Sequence, residues 1–345
     1  MDADNPAALG FRMPAEWEPQ AAIWLTWPTN PALWPGHFAE FLAQYAAFVA
    51  EISHFEPVCL NCAAGTLRKQ AQKCLADARA DFSVIRFFDH PANDVWCRDH
   101  GPLFVKNDAT GEVALTDWIF NGWGGKFEAE LDNAVPARIA ESLGMRRLAF
   151  PFELEGGAVE LSGDGLLLTT DCVQNNPNRA SGRDDAVFAQ ALKNGLGVRE
   201  ILRIPNGLAN DDTDGHVDNL ARFVAPRAIL AAVAASRADP NFAPLAENLA
   251  RLRALKTPEG GRFDILELPL PEPFTLAGRA LPPSYANFLV LNDAVLVPVY
   301  AQSGDARALG IIGEAFPRRK IIGLDSRFIL IEGGSFHCLS QQQPA

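Results

Sequence analysis

Residues 220–233 read LARFVAPRAILAAV, two apolar runs joined by Ala225-Pro226-Arg227. Aliphatic and β-branched runs on either side of a short turn predict a hairpin, Leu220–Val224 against Ala228–Val233. Downstream, apolar positions from Asn241 to Lys256 recur with helical period, and Asp264–Leu268 is a short apolar strand. Hairpin, helix and strand together make one unit, and the unit recurs. Hairpins are also predicted for Leu103–Lys106 with Val113–Asp117, Ala158–Leu161 with Leu166–Thr170, and Phe288–Leu291 with Ala294–Val299. Amphipathic helices are expected over Phe38–Phe55, Phe127–Leu143, Arg183–Leu196 and Asp305–Phe316. Short strands follow them at Pro57–Leu60, Arg147–Phe150, Glu200–Ile204 and Lys320–Gly323. The hairpins start about sixty residues apart, the mark of repeated supersecondary units.

One such unit cannot bury its own sheet, so the units must pack on one another. Five blocks predict one α/β domain over residues 1–345, radially arranged, with the two ends of the chain completing the ring. An open α/β sheet is the alternative that the same alternation allows. Pro269, Pro271, Pro273, Pro282 and Pro283 mark an extended surface loop.

Composition narrows the partners. Hydrophobic residues make up 48% of the 345, which excludes a disordered chain. With 42 acids against 30 bases the net charge is −12, so no nucleic acid and no anionic membrane is expected as partner. A small cation is the favoured ligand, and a homo-oligomer is compatible with everything here. No segment reaches the ~18 apolar residues of a membrane span. The stretch from Met1 to Pro14 carries Asp2 and Asp4 and lacks the apolar core of a signal peptide. Six cysteines are too sparse for a disulfide scaffold, which predicts reduced thiols and a cytoplasmic location.

Four polar motifs sit just before or within the first strand of a hairpin. They are Trp96-Cys97-Arg98-Asp99-His100-Gly101, Leu154-Glu155-Gly156-Gly157, the run Asp212 to Asp218, and Glu332-Gly333-Gly334-Ser335-Phe336-His337-Cys338. A radial arrangement would bring equivalent positions to one axis and gather acids, a histidine and a thiol in one pocket. Asn210, Asp212, Asp214 and Gly215 match the start of a calcium loop, but Ala221 stands where its bidentate glutamate belongs. His216 and Asp218, two apart, would share one face of a strand. Cys338 follows two glycines that permit close backbone approach and is the expected nucleophile. Its neighbour His337 would point to the other face of a strand, so His216 is the base of choice. Cys97, sharing a strand face with Asp99, is the rival nucleophile. Cys59 and Cys62 form a lone pair at C-x-x-C spacing and read as core thiols. Trp17, Trp24, Trp27, Trp34, Trp118 and Trp123 are expected mostly in the core, whereas Trp96 adjoins Asp99. No metal motif and no G-x-G-x-x-G or P-loop pattern appears, so no cofactor is expected.

A thiol among carboxylates without a metal suits a planar guanidinium, whose N–H fork binds acids bidentately. At these residues the chain resembles the agmatine deiminase family of the guanidino-modifying (pentein) superfamily, related to the bacterial-type peptidylarginine deiminases. The resemblance covers Arg12-Met13-Pro14-Ala15-Glu16-Trp17-Glu18-Pro19, Asn93 to Asp99 with Gly101-Pro102, Phe120 to Gly125, Glu155-Gly156-Gly157, Thr213 to Asn219, and Gly333 to Cys338 with Gln341 to Pro344. It implies a five-bladed, pseudo-fivefold α/β propeller with the site on its axis. It also implies hydrolysis of agmatine to N-carbamoylputrescine and ammonia, in putrescine biosynthesis. By motif, Cys338 becomes the nucleophile and His216 the general acid/base. Asp99 and Asp218 grip the guanidinium, Glu155 supports His216, and Asp212, Trp96 and Gly334 contact the substrate. Cys97, Gly122 and the short acid at 212 depart from the family pattern. Free or peptidyl arginine as substrate, amidino transfer to an amine, and a non-catalytic cation-binding module are the alternatives.

Overall fold

The computed structural model describes residues 5–180, 183–276 and 278–345. Five sheets of three or four strands share one topology. In each, two antiparallel strands are followed by a helix and then by a strand parallel to the second. Leu103–Asn107, Val113–Ile119 and Arg147–Glu153 form one sheet, with Phe11–Arg12 added at its edge. Glu160–Leu161, Leu166–Thr170 and Glu200–Ile204 form the next. Ala221–Ala225, Ala228–Val233 and Asp264–Pro269 form the third, and Leu289–Val290, Ala294–Val299 and Lys320–Asp325 the fourth. The fifth joins distant parts of the chain. Ser340–Pro344 pairs antiparallel with Gln20–Thr26, which continues in parallel to Val58–Asn61 and Ile85–Phe88.

The helices lie where their apolar period puts them. Phe38–Ser53 buries Phe41, Tyr45, Phe48 and Ile52 along one stripe. Asp185–Leu196, Phe242–Ala254 and Asp305–Ala315 follow the same logic. The helix expected over 127–143 is shorter, Val135–Leu143, because Pro136 fits only a first turn, where its missing N–H costs nothing. A further helix, Thr66–Asp77, buries only Ala71 and Leu75, too faint a stripe to register in the sequence. The proline-rich loop carries a small antiparallel ribbon, Phe274–Leu276 with Arg279–Leu281. Among the described residues no helix is long and apolar enough to cross a membrane.

Each sheet's first strand is preceded by a tight turn rather than by more strand. These turns are Cys97–His100, Gly156–Ala158, Val217–Asn219 and Phe336–Leu339, plus the hydrogen-bonded turn from Ser284 to Asn287. The expectation that His216 and Asp218, Cys97 and Asp99, or His337 and Cys338 lie on strands is therefore corrected. Turn geometry sets where these side chains point. The last of the four helical turns is held from below by Phe336, which stacks on Phe48 at 4.6 Å in the aromatic core of Trp27, Trp34, Phe41 and Tyr45.

Candidate active site

The five turns each bring one polar side chain towards a common place: Asp99, Glu155, Asp218, Asn287 and Cys338. Cys338 is buried, and its Sγ lies 3.4 Å from Asp218 Oδ2. Asn287 Nδ2 donates to the same sulfur at 3.0 Å, while Asn287 Oδ1 accepts from the backbone N–H groups of His337 and Cys338. That clamp fixes both the turn and the sulfur. His216 has no solvent exposure, with Nδ1 3.6 Å from Asp99 Oδ1 and Nε2 3.4 Å from Glu155 Oε2. Asp99 accepts from Trp123 Nε1 and from the backbone N–H of Gly157, both at 2.9 Å. A Cβ on Gly157 would sit 2.5 Å from His216 Nδ1, 2.9 Å from Asp99 Oδ1 and 3.1 Å from Asp218 Oδ2, so only glycine leaves room for all three.

Glu155 has a second partner. Arg179 Nε donates to both its oxygens, at 2.7 and 2.9 Å, and the same guanidinium reaches Asp214 and the Thr213 carbonyl. Burial opposes ionisation of Glu155, but His216 and Arg179 outweigh it and its carboxyl is lowered. Burial likewise disfavours an imidazolium at residue 216, yet Asp99, Glu155 and Asp218 prevail and push its pKa up to about 9. Asp218 is lowered despite burial, through His337, His216 and Arg222, whereas burial raises Asp99. Burial, then Asp218 and Asp99, push the Cys338 thiol well above its ordinary range. With no cation present, the sulfur keeps its proton at neutral pH.

Next to these groups opens a cleft lined by Trp96, Asp99, Trp123, Phe127 and Cys338 and by the further acids Asp94, Asp211, Asp212 and Glu332. Gly334 packs under the Trp96 indole, where a Cβ would come within 2.4 Å of the ring. Asp212 lies at the rim, its carboxylate paired with Arg279 of the ribbon. Burial together with Asp94 and Asp212 pushes Glu332 up to about 7. The cleft is thus lined by acids and reaches the Cys338 thiol.

The rival thiol is elsewhere. Cys97 is wholly buried in the cluster of Trp24, Cys59 and Phe104, does not line the cleft, and is pushed up to about 12 by burial. Trp123, expected in the core, is buried there and also borders the cleft and donates to Asp99. Arg179 and Asn287 escaped the sequence reading altogether. Asn287 had a usable signal: it precedes the first strand of the fourth sheet, as Asp99, Glu155, Asp218 and Cys338 precede theirs.

Both the sequence and the fold have known relatives. The chain is 35% identical over 368 residues to the agmatine deiminase of Pseudomonas aeruginosa (strain LESB58), the match covering 99% of this chain and 97% of the relative. Its structure superposes on the agmatine deiminase of Enterococcus faecalis with a TM-score of 0.93 and 29% identity, over 100% of this chain and 98% of that one. A C. jejuni agmatine deiminase solved with substrate bound gives a TM-score of 0.88 and 31% identity, covering 97% and 96%. The family model described as Porphyromonas-type peptidyl-arginine deiminase matches residues 12–344. With the α/β fold shared and the match running nearly end to end, the chain belongs to the Porphyromonas-type peptidyl-arginine deiminase family.

Proposed function

We propose that the protein hydrolyses agmatine to N-carbamoylputrescine and ammonia, with Cys338 as nucleophile. The observation that carries this reading is the sulfur of Cys338 set 3.4 Å from Asp218 in an acid-lined cleft, with His216 between Asp99 and Glu155. In the same reading the five sheets are blades of a pseudo-fivefold propeller, one catalytic unit with the site on its axis. Five repeats of one topology and five turns that each supply one polar group support it. Six unpaired cysteines fit a reducing, cytoplasmic setting.

Asp99 and Asp218 hold the guanidinium flat, its carbon over the sulfur. Entry of the cation offsets the acids that oppose the thiolate, so Cys338 releases its proton to solvent when substrate arrives and, leaving later as thiolate, takes one back from solvent once the product has gone. Sulfur then bonds to the guanidinium carbon. His216, already protonated, gives its proton to the departing nitrogen, and the C–N bond breaks to release ammonia. Water attacks the resulting S-alkylthiouronium. His216 takes one of its protons, the other goes to solvent, and the C–S bond breaks to leave the ureido product. The elevated pKa of His216 makes it first an acid and only afterwards a base. Glu155, held by Arg179, maintains that charge. Asp94, Asp211, Asp212 and Glu332, offset in part by Arg279 on Asp212, give the cleft an acidic lining that favours an ammonium over a carboxylate at the far end of the substrate, and so agmatine over arginine, increasingly as Asp94 and Glu332 ionise near pH 7.

The test is an assay for ureido product with agmatine, arginine and an arginyl peptide in parallel. Preference for agmatine, abolished by Cys338→Ser, is expected. Binding of agmatine without any product would convert the reading to a cation-binding module.

A further inference from the structure

Glu16 belongs to the Arg12–Pro19 motif, for which the chemistry above has no use. The fold carries it beneath the site, on the side away from the cleft. Its Oε1 lies 2.6 Å from His337 Nε2, and His337 Nδ1 lies 2.7 Å from Asp218 Oδ2. The same Oδ2 faces Cys338 Sγ. Four side chains from three distant stretches of chain therefore form one line, Glu16–His337–Asp218–Cys338. The inner three are almost completely buried. Glu16 is anchored by Arg222 at 2.5 Å, with Arg98 at 3.5 Å. Glu16, Glu160 and His337 are also close enough to share a metal ion, but Arg222 and Arg98 already supply the positive charge these carboxylates need.

Both ring nitrogens of His337 face a carboxylate oxygen, an arrangement satisfied when both carry hydrogen. One oxygen of Asp218 is thereby occupied and its plane fixed. The other, Oδ1, is buried and has no hydrogen-bond partner. A buried carboxylate oxygen is costly to leave unpaired, so this one points to a ligand that supplies N–H.

We propose that His337 and Glu16 are positioning residues, an imidazole–carboxylate pair that fixes the orientation and charge of Asp218 so that its free oxygen receives the substrate guanidinium. The proposal rests on the reading of Asp218 as a guanidinium-binding acid. Asp218 also feels His216 and Arg222, which favour its charge, and Asp99, Asp211 and Cys338, which do not. His337 is in direct hydrogen-bond contact with it at 2.7 Å and holds its carboxyl down, so removing that contact shifts the balance towards the protonated acid.

His337→Gln and Glu16→Gln, in the full chain, are assayed with agmatine across the acidic to mildly alkaline range, alongside thermal unfolding. For His337→Gln, kcat/KM at neutral pH falls about ten- to a hundredfold, the weight of one charge-assisted hydrogen bond, mostly through KM. The acid limb of kcat/KM moves to higher pH, and activity recovers as the medium becomes alkaline. A purely structural role would lower the whole profile without moving its limb. Glu16→Gln keeps size and an acceptor for His337, so it shows a smaller shift in the same direction and carries the test where His337→Gln fails to fold. A folded Glu16→Gln or His337→Gln protein with an unmoved limb and unchanged KM overturns the proposal. Failure of the underlying reading looks different: Asp218→Asn would then leave the KM for agmatine unchanged, and both fall together.

Discussion

Substituting Gly157 by alanine puts one methyl group where three functional side chains meet. The glycine lies in the turn Gly156–Ala158 with a φ outside the left-handed region, so the backbone accepts alanine and the effect is steric. The added Cβ would be 2.5 Å from His216 Nδ1, against 3.4 Å for ordinary contact, a shortfall of about 0.9 Å. Nothing can retreat freely, since His216 and Asp218 have no exposure and Asp99 has 3%. Overpacking of this kind costs about 1–3 kcal/mol of stability. A displacement near 1 Å of reacting groups costs about a hundredfold in rate. We therefore expect Gly157→Ala to fold, to melt a few degrees lower, and to lose about two orders of magnitude in kcat/KM for ammonia release. Gly310→Ala is the matched control. It lies within the helix Asp305–Ala315 with nothing within 4 Å of its Cβ, so stability rises by about 0.5–1 kcal/mol and activity stays. Wild-type turnover by folded Gly157→Ala would show that His216, Asp99 and Asp218 need not hold these positions, and the mechanism would fail with it.

Cys338 in the empty enzyme should react slowly with iodoacetamide at neutral pH and faster when a non-reacting guanidinium occupies the cleft, as followed by mass spectrometry. Rapid alkylation without ligand contradicts ionisation on substrate entry. His216, with a folded pKa raised from 6.5 to about 9, contributes stability that is complete below 6.5 and lost as pH rises through 9. The difference in unfolding free energy between wild type and His216→Asn should shrink over that window, and a constant difference refutes the assignment. Glu332, raised from 4.5 to about 7, has the same sign: it is tolerated as the neutral acid and destabilises once ionised. Glu332→Gln should therefore raise the melting temperature above pH 7 and leave it nearly unchanged below pH 4.5.

Much of this architecture can be read from local pattern. Four hairpins and five helix–strand pairs announce themselves because their signals, turn residues and apolar period, lie within some twenty residues of one another. The fifth antiparallel pair does not, since Gln20–Thr26 and Ser340–Pro344 share no turn. Helix Thr66–Asp77 was missed for a different reason, its buried stripe being two residues wide. At the site, charged groups beside glycines stand out in the sequence, and the structure brings Asp99, Glu155, His216, Asp218 and Cys338 close together. Asn287 hid among Tyr285, Ala286 and Phe288, where one amide among apolar residues looks like core. Arg179 and Trp123 reach the site from short helical turns outside the five sheets, and only the folded chain shows where such a side chain arrives. The strand geometry assumed for His216 and His337 was wrong because glycines and short polar motifs favour turns there.

The pairing of Gln20–Thr26 with Ser340–Pro344 bears on how the molecule is made. A nascent polypeptide emerges with residue 20 first, so that strand carries one open, hydrogen-bond-hungry edge throughout nearly all of translation. Its neighbour Ser340–Pro344 follows far later in the sequence, directly after the turn that carries Cys338. This sheet therefore closes only once residues 340–344 are available, and a chain cut short of them keeps a sticky flank. Contacts so remote in sequence also slow refolding from denaturant, which makes this seam the natural place for a chaperone to stand guard.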